Sequence, residues 1–179
     1  LASGLSAMVF NLTIGKKVYN EYRDEEKILI SKTLDACLKY QSKFLELMNK
    51  DKEAFLILMS AFKLPKESDD DKKVRSAKIK EGYLGALEVP LIVAEEAYKI
   101  YEYVMVAAKL GNKNAISDAG VSVLMLQASI ESAILNVKIN LSSIKDEIYK
   151  EKVKKRCYEL VENGRIKRDE ILTIVDESL

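Results

Sequence analysis

SDAGVSVLMLQASIESAILNVKINL, residues 117–141, is mostly apolar yet places a polar residue at nearly every turn. At about 100° per residue, with Asp118 as zero, Ser122, Ser129, Asn136 and Asn140 fall within about 40° of it. The five make a polar stripe about 33 Å long. Gln127, Glu131 and Lys138 fall near the opposite side. The helix is therefore apolar on two flanks and polar on two faces. Its apolarity places it at the centre of a bundle. One polar face means solvent; a second needs its own reason. The long side chains of Gln127, Glu131 and Lys138 suit a surface. The short side chains of the other face suit either a close-packed helix seam, with Asp118 merely an N-cap, or one wall of a ligand groove. In the groove reading, Asp118 faces a cationic or N–H-bearing ligand and the asparagines hydrogen-bond a heterocycle. Periodicity alone does not choose between them.

Outside this segment the 179 residues hold only two prolines and seven glycines, and strand-like alternation is absent. The expectation is an all-α, single-domain bundle of long helices over residues 1–179, with no sheet. The first helix runs to about Ile14, and Gly15-Lys16-Lys17 is either a break or a tight continuation. A second spans roughly Asp24 to Asn49. Asp51 caps a shorter one, about Lys52 to Phe62, which Leu64-Pro65 stops. The acidic run Glu67 to Asp71 reads as a capped, solvated helix start, where acids favour the dipole. That helix continues to about Leu110, kinked by Pro90, and Gly111-Asn112-Lys113-Asn114 ends it. The last helix starts near Lys145. Asn163-Gly164 does not split it, because Cys157, Leu160, Val161, Gly164, Ile171, Leu172, Val175 and Leu179 hold one stripe across the glycine.

Composition excludes several classes. Apolar residues are 48% and charged residues 32%, a globular rather than disordered balance. With 29 basic and 28 acidic side chains, the net charge of +1 gives no field for gathering nucleic acid or membrane. No stretch reads as a membrane span of about 18 or more apolar residues. Histidine is absent, which removes His triads, His metal sites and the His-containing di-iron pattern. A general base must be Lys, Asp, Glu, Tyr or Cys. Cys37 and Cys157 have no metal spacing and read as free thiols in a reducing, cytoplasmic compartment. The chain does not open on Met, so it is expected to begin inside an element that starts upstream. Leu1 to Ile14 and the Ser117–Leu141 helix carry more apolar surface than one bundle of this size readily hides, so a homodimer is expected.

Two lysine pairs mark helix ends: Lys16-Lys17, and Lys63 with Lys66 around Leu64-Pro65. Each either offsets a helix dipole or holds an anion. Neither is a phosphate loop, since no glycine-rich turn accompanies them.

Asn11-Leu12-Thr13-Ile14-Gly15-Lys16-Lys17-Val18-Tyr19 resembles the opening motif of the cyclodeaminase/methenyltetrahydrofolate cyclohydrolase family. Four further blocks resemble it in order: Asp51 to Phe55 leading to Ala61-Phe62-Lys63-Leu64-Pro65-Lys66, then Glu88-Val89-Pro90-Leu91, then Gly111 to Val121, then Asn136 to Leu141. Together they span about residues 1–146; the final helix carries no motif. The family's usual Pro-Gly-Gly-Gly-Ser turn before the first helix does not occur here. The resemblance implies an all-helical dimer, no bound cofactor or metal, and a tetrahydrofolate substrate. It implies closure of N5-formiminotetrahydrofolate to the 5,10-methenyl form with loss of ammonia, or hydrolysis of the methenyl form to 10-formyltetrahydrofolate. Carried onto this sequence, its motif positions make Lys16, Lys17, Asp118 and Asp51 catalytic candidates. Asn11, Tyr19, Phe55, Lys63, Lys66, Asn136 and Asn140 become substrate-binding candidates, and the polar stripe adds Ser122 to them. The methenyl carbon is cationic, so Asp118 or Asp51 would stabilise it. Without histidine, a desolvated Lys16 or Lys17 is the expected base. Asn136 and Asn140 would read the pterin, and Lys63 and Lys66 a polyglutamate tail. The alternative is a non-catalytic helical scaffold or folate-binding module. It explains the helices but not the ordered motifs.

Overall fold

The computed structural model describes residues 1–179. Seven α-helices follow one another without a strand: α1 Ala2–Asn11, α2 Lys17–Glu21, α3 Asp24–Phe62, α4 Asp69–Lys99, α5 Tyr101–Leu110, α6 Ile116–Leu141 and α7 Glu147–Asp176, with a 3-10 turn at Lys113–Ala115. The all-α bundle expected from composition and periodicity is what forms.

The central position of residues 117–141 also holds. α6 packs on α1, α4, α5 and α7. Val123, Leu126, Ile130, Ile134 and Val137 are buried along it. Together with the 3-10 turn it is, by length and composition, apolar enough to cross a membrane, contrary to the sequence reading. Half of that apolar stretch is buried inside the bundle. α3 closes the other side against α1, α4 and α5.

Three boundaries differ from expectation. α3 is continuous through Asp51 for 39 residues, so Asp51 caps nothing. Its buried positions Leu47, Ala54, Leu58 and Ala61 keep helical spacing across the polar run Asn49 to Glu53, and no glycine or proline interrupts it. α1 stops at Asn11 rather than Ile14. Gly15 takes φ +78°, the left-handed region that glycine enters without a Cβ penalty, and this breaks the chain direction. Lys16 and Lys17 therefore lie at the start of α2, not in the last turn of α1, and cannot offset that dipole. The helix after the acidic run is jointed at Ile100, where bonding tightens to Ile100 N–H on the Ala97 carbonyl (3.0 Å) and Tyr103 N–H on the Ile100 carbonyl (2.9 Å). Pro90 sits inside α4 without ending it.

Two expectations about helix ends and phase are met. Ser68 caps α4 reciprocally: Asp71 N–H donates to Ser68 Oγ at 3.0 Å, and Ser68 N–H donates to Asp71 Oδ2 at 3.1 Å. α7 runs unbroken through a buried Gly164. A Cβ there would lie 2.6 Å from Gln127 Oε1 and 3.2 Å from the Tyr101 hydroxyl. That close approach corrects the reading of Gln127 as surface. Gln127 is only 3% exposed, because the bare backbone of Gly164 leaves room for it between α5, α6 and α7. Lys138 does lie on the surface.

Candidate active site

The polar stripe on α6 divides along its length. Ser122 is wholly buried, shares a hydrogen bond with Ser6 (2.9 Å) and donates to the Ala2 carbonyl (2.8 Å), so it fastens α1. Further along, Ser129, Ser132 and Asn136 face an open groove of about 700 Å³ between α1, α3, α4 and α6. Its walls are mainly apolar. Leu1 to Leu5 form one end, Phe44 and Met48 come from α3, and Val93 and Ala97 come from α4. A second lobe of about 510 Å³ continues past Phe55, Phe62 and Tyr83 to Asn140. Asp51, Pro90 and Asn136 line both lobes, so the two volumes are one groove with these three at the junction.

The charge pattern on these walls is simple. Asp51 is the only carboxylate, Tyr83 the only other titratable side chain, and no lysine or arginine contributes. An anionic group on a largely apolar wall favours a cationic or N–H-rich ligand there. The polar groups opposite are tied down. Ser129 Oγ donates to the Met125 carbonyl (2.7 Å), Asn136 Nδ2 to the Ser132 carbonyl (3.3 Å), and Asn140 Nδ2 to the carbonyls of Ala86 and Asn136 (both 2.9 Å).

Of the twelve candidate residues, the groove brings together Asp51, Phe55, Asn136 and Asn140. Lys63 follows Phe62 at the end of the second lobe and is exposed, as is Lys66. Lys16 and Lys17 are exposed at the start of α2 and contribute nothing to the groove walls. Asp118 is half-buried in the first turn of α6, where Ala115 and not Asp118 is the N-cap. It is also off the walls. Asn11 is exposed at the end of α1. Tyr19 packs edge-on against Tyr22, whose hydroxyl donates to the Leu110 carbonyl at 3.0 Å.

The sequence reading missed the α3 wall. Gln41, Phe44, Met48, Asp51 and Phe55 recur at intervals of three and four residues, and all line the groove. That stripe is readable only if α3 is one helix; dividing it at Asp51 hid the pattern.

Comparison with known proteins adds an independent line. A family model described as Formiminotransferase-cyclodeaminase matches residues 1–159. The methenyltetrahydrofolate cyclohydrolase of Methylorubrum extorquens is 36% identical over 151 residues, covering 84% of this chain and 71% of that protein. The formimidoyltransferase-cyclodeaminase of Rattus norvegicus is 28% identical over 165 residues, 92% of this chain but only 30% of that longer protein. The crystal structure of formiminotetrahydrofolate cyclodeaminase from Thermotoga maritima superposes with a TM-score of 0.76 at 26% identity, covering 99% of this chain and 81% of that one. With a family match over residues 1–159, 36% identity to a relative covered over 71% of its length and a shared fold with a solved member, the chain belongs to the formiminotransferase-cyclodeaminase family.

Proposed function

We propose that the groove binds a reduced folate and that the chain acts on the carbon held between its N5 and N10. The observation that carries this reading is Asp51, a lone carboxylate at the junction of two mainly apolar lobes. The methenyl form carries its positive charge at the N5–C–N10 amidine. A carboxylate beside it stabilises that cation and the charge changes around it.

In the hydrolytic direction, water attacks the amidine carbon and gives up a proton, for which Asp51 is the acceptor on the groove wall. The tetrahedral carbon then collapses. The C–N5 bond breaks, the hydroxyl proton passes to N5 as the C=O bond forms, and the formyl group stays on N10. The 36% identity to a protein named methenyltetrahydrofolate cyclohydrolase supports this direction. A second reading has the structural match to a cyclodeaminase over 99% of the chain behind it. There, N10 attacks the formimino carbon on N5, the N10 proton and one from solvent pass to the former imino nitrogen, that nitrogen leaves as ammonia, and the same methenyl cation results. Asp51 serves both, since both pass through that cation.

In this reading the pterin lies against Asn136 and Asn140, and Lys63 and Lys66 meet an anionic tail leaving the second lobe. Asp118, Lys16 and Lys17 do not face the groove of their own chain, so any part they take requires a second copy. A homodimer belongs to the proposal. Val121, Leu124, Leu135 and Ile139 lie exposed along α6, as do Met8, Leu12 and Ile14 near α1.

Following the methenyl absorbance tests the reading. Loss from methenyltetrahydrofolate marks the hydrolase, and appearance from formiminotetrahydrofolate marks the deaminase. A scaffold would show neither. It would also lack the rise of roughly 5 to 10 °C in melting temperature expected from a folate analogue near a hundredfold over its Kd.

A further inference from the structure

Pro90 leaves a debt inside α4. In an unbroken helix the N–H of residue 90 would donate to the carbonyl of Ala86. Proline has no N–H, and its ring crowds that carbonyl. Ala86 is buried, 8% exposed, so water is a poor substitute partner. The missing donor comes from another helix: Asn140 Nδ2, on α6, lies 2.9 Å from the Ala86 carbonyl oxygen. The second N–H of the same amide reaches the Asn136 carbonyl, also at 2.9 Å. Turning the amide over would set its oxygen against two carbonyl oxygens, so its orientation is fixed by its partners.

We infer that Asn140 is a positioning residue whose side-chain amide replaces the N–H that Pro90 lacks, and so holds the α4 wall of the groove against α6. The location gives this bond its consequence. Pro90 and Asn136 line both lobes beside Asp51, and Asn140 stands one turn beyond Asn136 in the second lobe. A proline bend without the clamp would leave the α4 wall free to move where Pro90 lines both lobes. With the clamp, both amide hydrogens are committed to carbonyls. Oδ1 is then the atom that Asn140 has left to offer a ligand, an acceptor suited to an N–H edge.

The clamp itself does not depend on the folate reading; its effect on substrate handling does. A double-mutant cycle separates the two. Asn140→Ala and Asn140→Asp each lose the donor, and the aspartate keeps the shape while setting oxygen against oxygen. Each is expected to lower the melting temperature by roughly 3 to 8 °C and to raise KM for the folate substrate about tenfold through the displaced wall. In Pro90→Ala the helix supplies its own N–H to Ala86. Adding Asn140→Ala to that background should cost less than about 2 °C and raise KM by a smaller factor than the same change does in the parent, the part that remains being the direct contact of Asn140 with the ligand. An equal thermal cost in both backgrounds overturns the clamp, as does an Asn140→Asp variant with the parent melting temperature. An equal factor in KM in both backgrounds, despite restored stability, overturns the positioning role. Should Asn140→Ala not fold, recovery of folded protein in the double variant supports the clamp and continued failure counts against it. If the parent protein neither binds nor turns over folate, the functional reading fails while the thermal cycle still decides the clamp.

Discussion

On the α7 side of α6, the amide of Gln127 accepts from the Tyr101 hydroxyl and donates to Glu131 (2.8 Å), which Arg165 meets at 3.1 Å. On the groove side, Ser129 and Asn136 bond only to carbonyls of their own helix, one turn back. Gln127 reaches across to other helices and becomes core, with Glu131 at its edge and Lys138 left on the surface. On the opposite face Ser122 and Asn140 cross to α1 and α4, while Ser129 and Asn136, between them, close on their own backbone and face the open groove. Side-chain length alone misjudges exposure here. Gln127 is buried because Gly164, 37 positions further on in another helix, offers no side chain in its way. What faces a residue decides its environment, and that is set by the partner helix.

The contrast breaks most readily at Gln127. Gln127→Ala strands the buried Tyr101 hydroxyl and opens a cavity, a loss of about 2 to 4 kcal/mol. A melting temperature lower by roughly 5 to 12 °C is expected in thermal unfolding. Folate affinity below the transition should be unchanged, because Gln127 does not line the groove. Gly164→Ala comes next. Alanine gains helix propensity, about 1 kcal/mol, but its Cβ needs the space held by Gln127 Oε1, 2.6 Å away. Displacing that amide costs about 1 to 3 kcal/mol, so net destabilisation of about 1 kcal/mol is expected, and a rise in melting temperature would mean the network is loose.

A smaller effect sharpens the comparison through pH. Glu131 is held below its ordinary 4.5 by the hydrogen bond from Gln127 first and by Arg165 after it. A depressed folded value gives stability that is present above the unfolded value and is lost as pH falls through the folded one. Between about pH 5 and pH 3 the melting temperature should fall, and Glu131→Gln should shallow that fall. The Glu131 side chain is 40% exposed, so solvent screening keeps the difference to a degree or two. An identical acid slope in the variant would remove Glu131 from the account. Smallest of all, Ser129→Ala deletes a bond made only within its own helix at an exposed position. It should shift stability by less than about 0.5 kcal/mol. A larger loss would mean that the groove face is itself packed.

Much of the bundle was legible because periodicity survives in it. The centrality of α6, the Ser68 cap and the unbroken α7 all follow from spacings within one helix. The groove was half legible for the same reason. Asn136 and Asn140 share a face of α6, and Asp51 and Phe55 were picked out by motif. The remainder depends on relations between distant segments. Nothing local to Asp51 shows that α3 passes through it, since a polar run that looks like a boundary is held straight by apolar residues on either side. Nothing local to Ser122 shows that it meets Ser6, more than a hundred residues away, rather than a ligand. The lysine pair at Lys16 and Lys17 reads as a helix end, but Gly15 redirects the chain and carries both away from the groove.

The account stands or falls on Asp51. It is an exposed residue in the middle of α3, makes no hydrogen bond that holds the fold, and faces both lobes. Asp51→Asn keeps its shape and removes its charge. Turnover should be followed by the methenyl absorbance with whichever substrate the parent protein uses, alongside thermal unfolding. A loss of roughly 10²- to 10³-fold in kcat, with the melting temperature within about 2 °C of the parent, is the expected result. Turnover at the parent rate in a folded Asp51→Asn protein would contradict it and move the chemistry out of this groove.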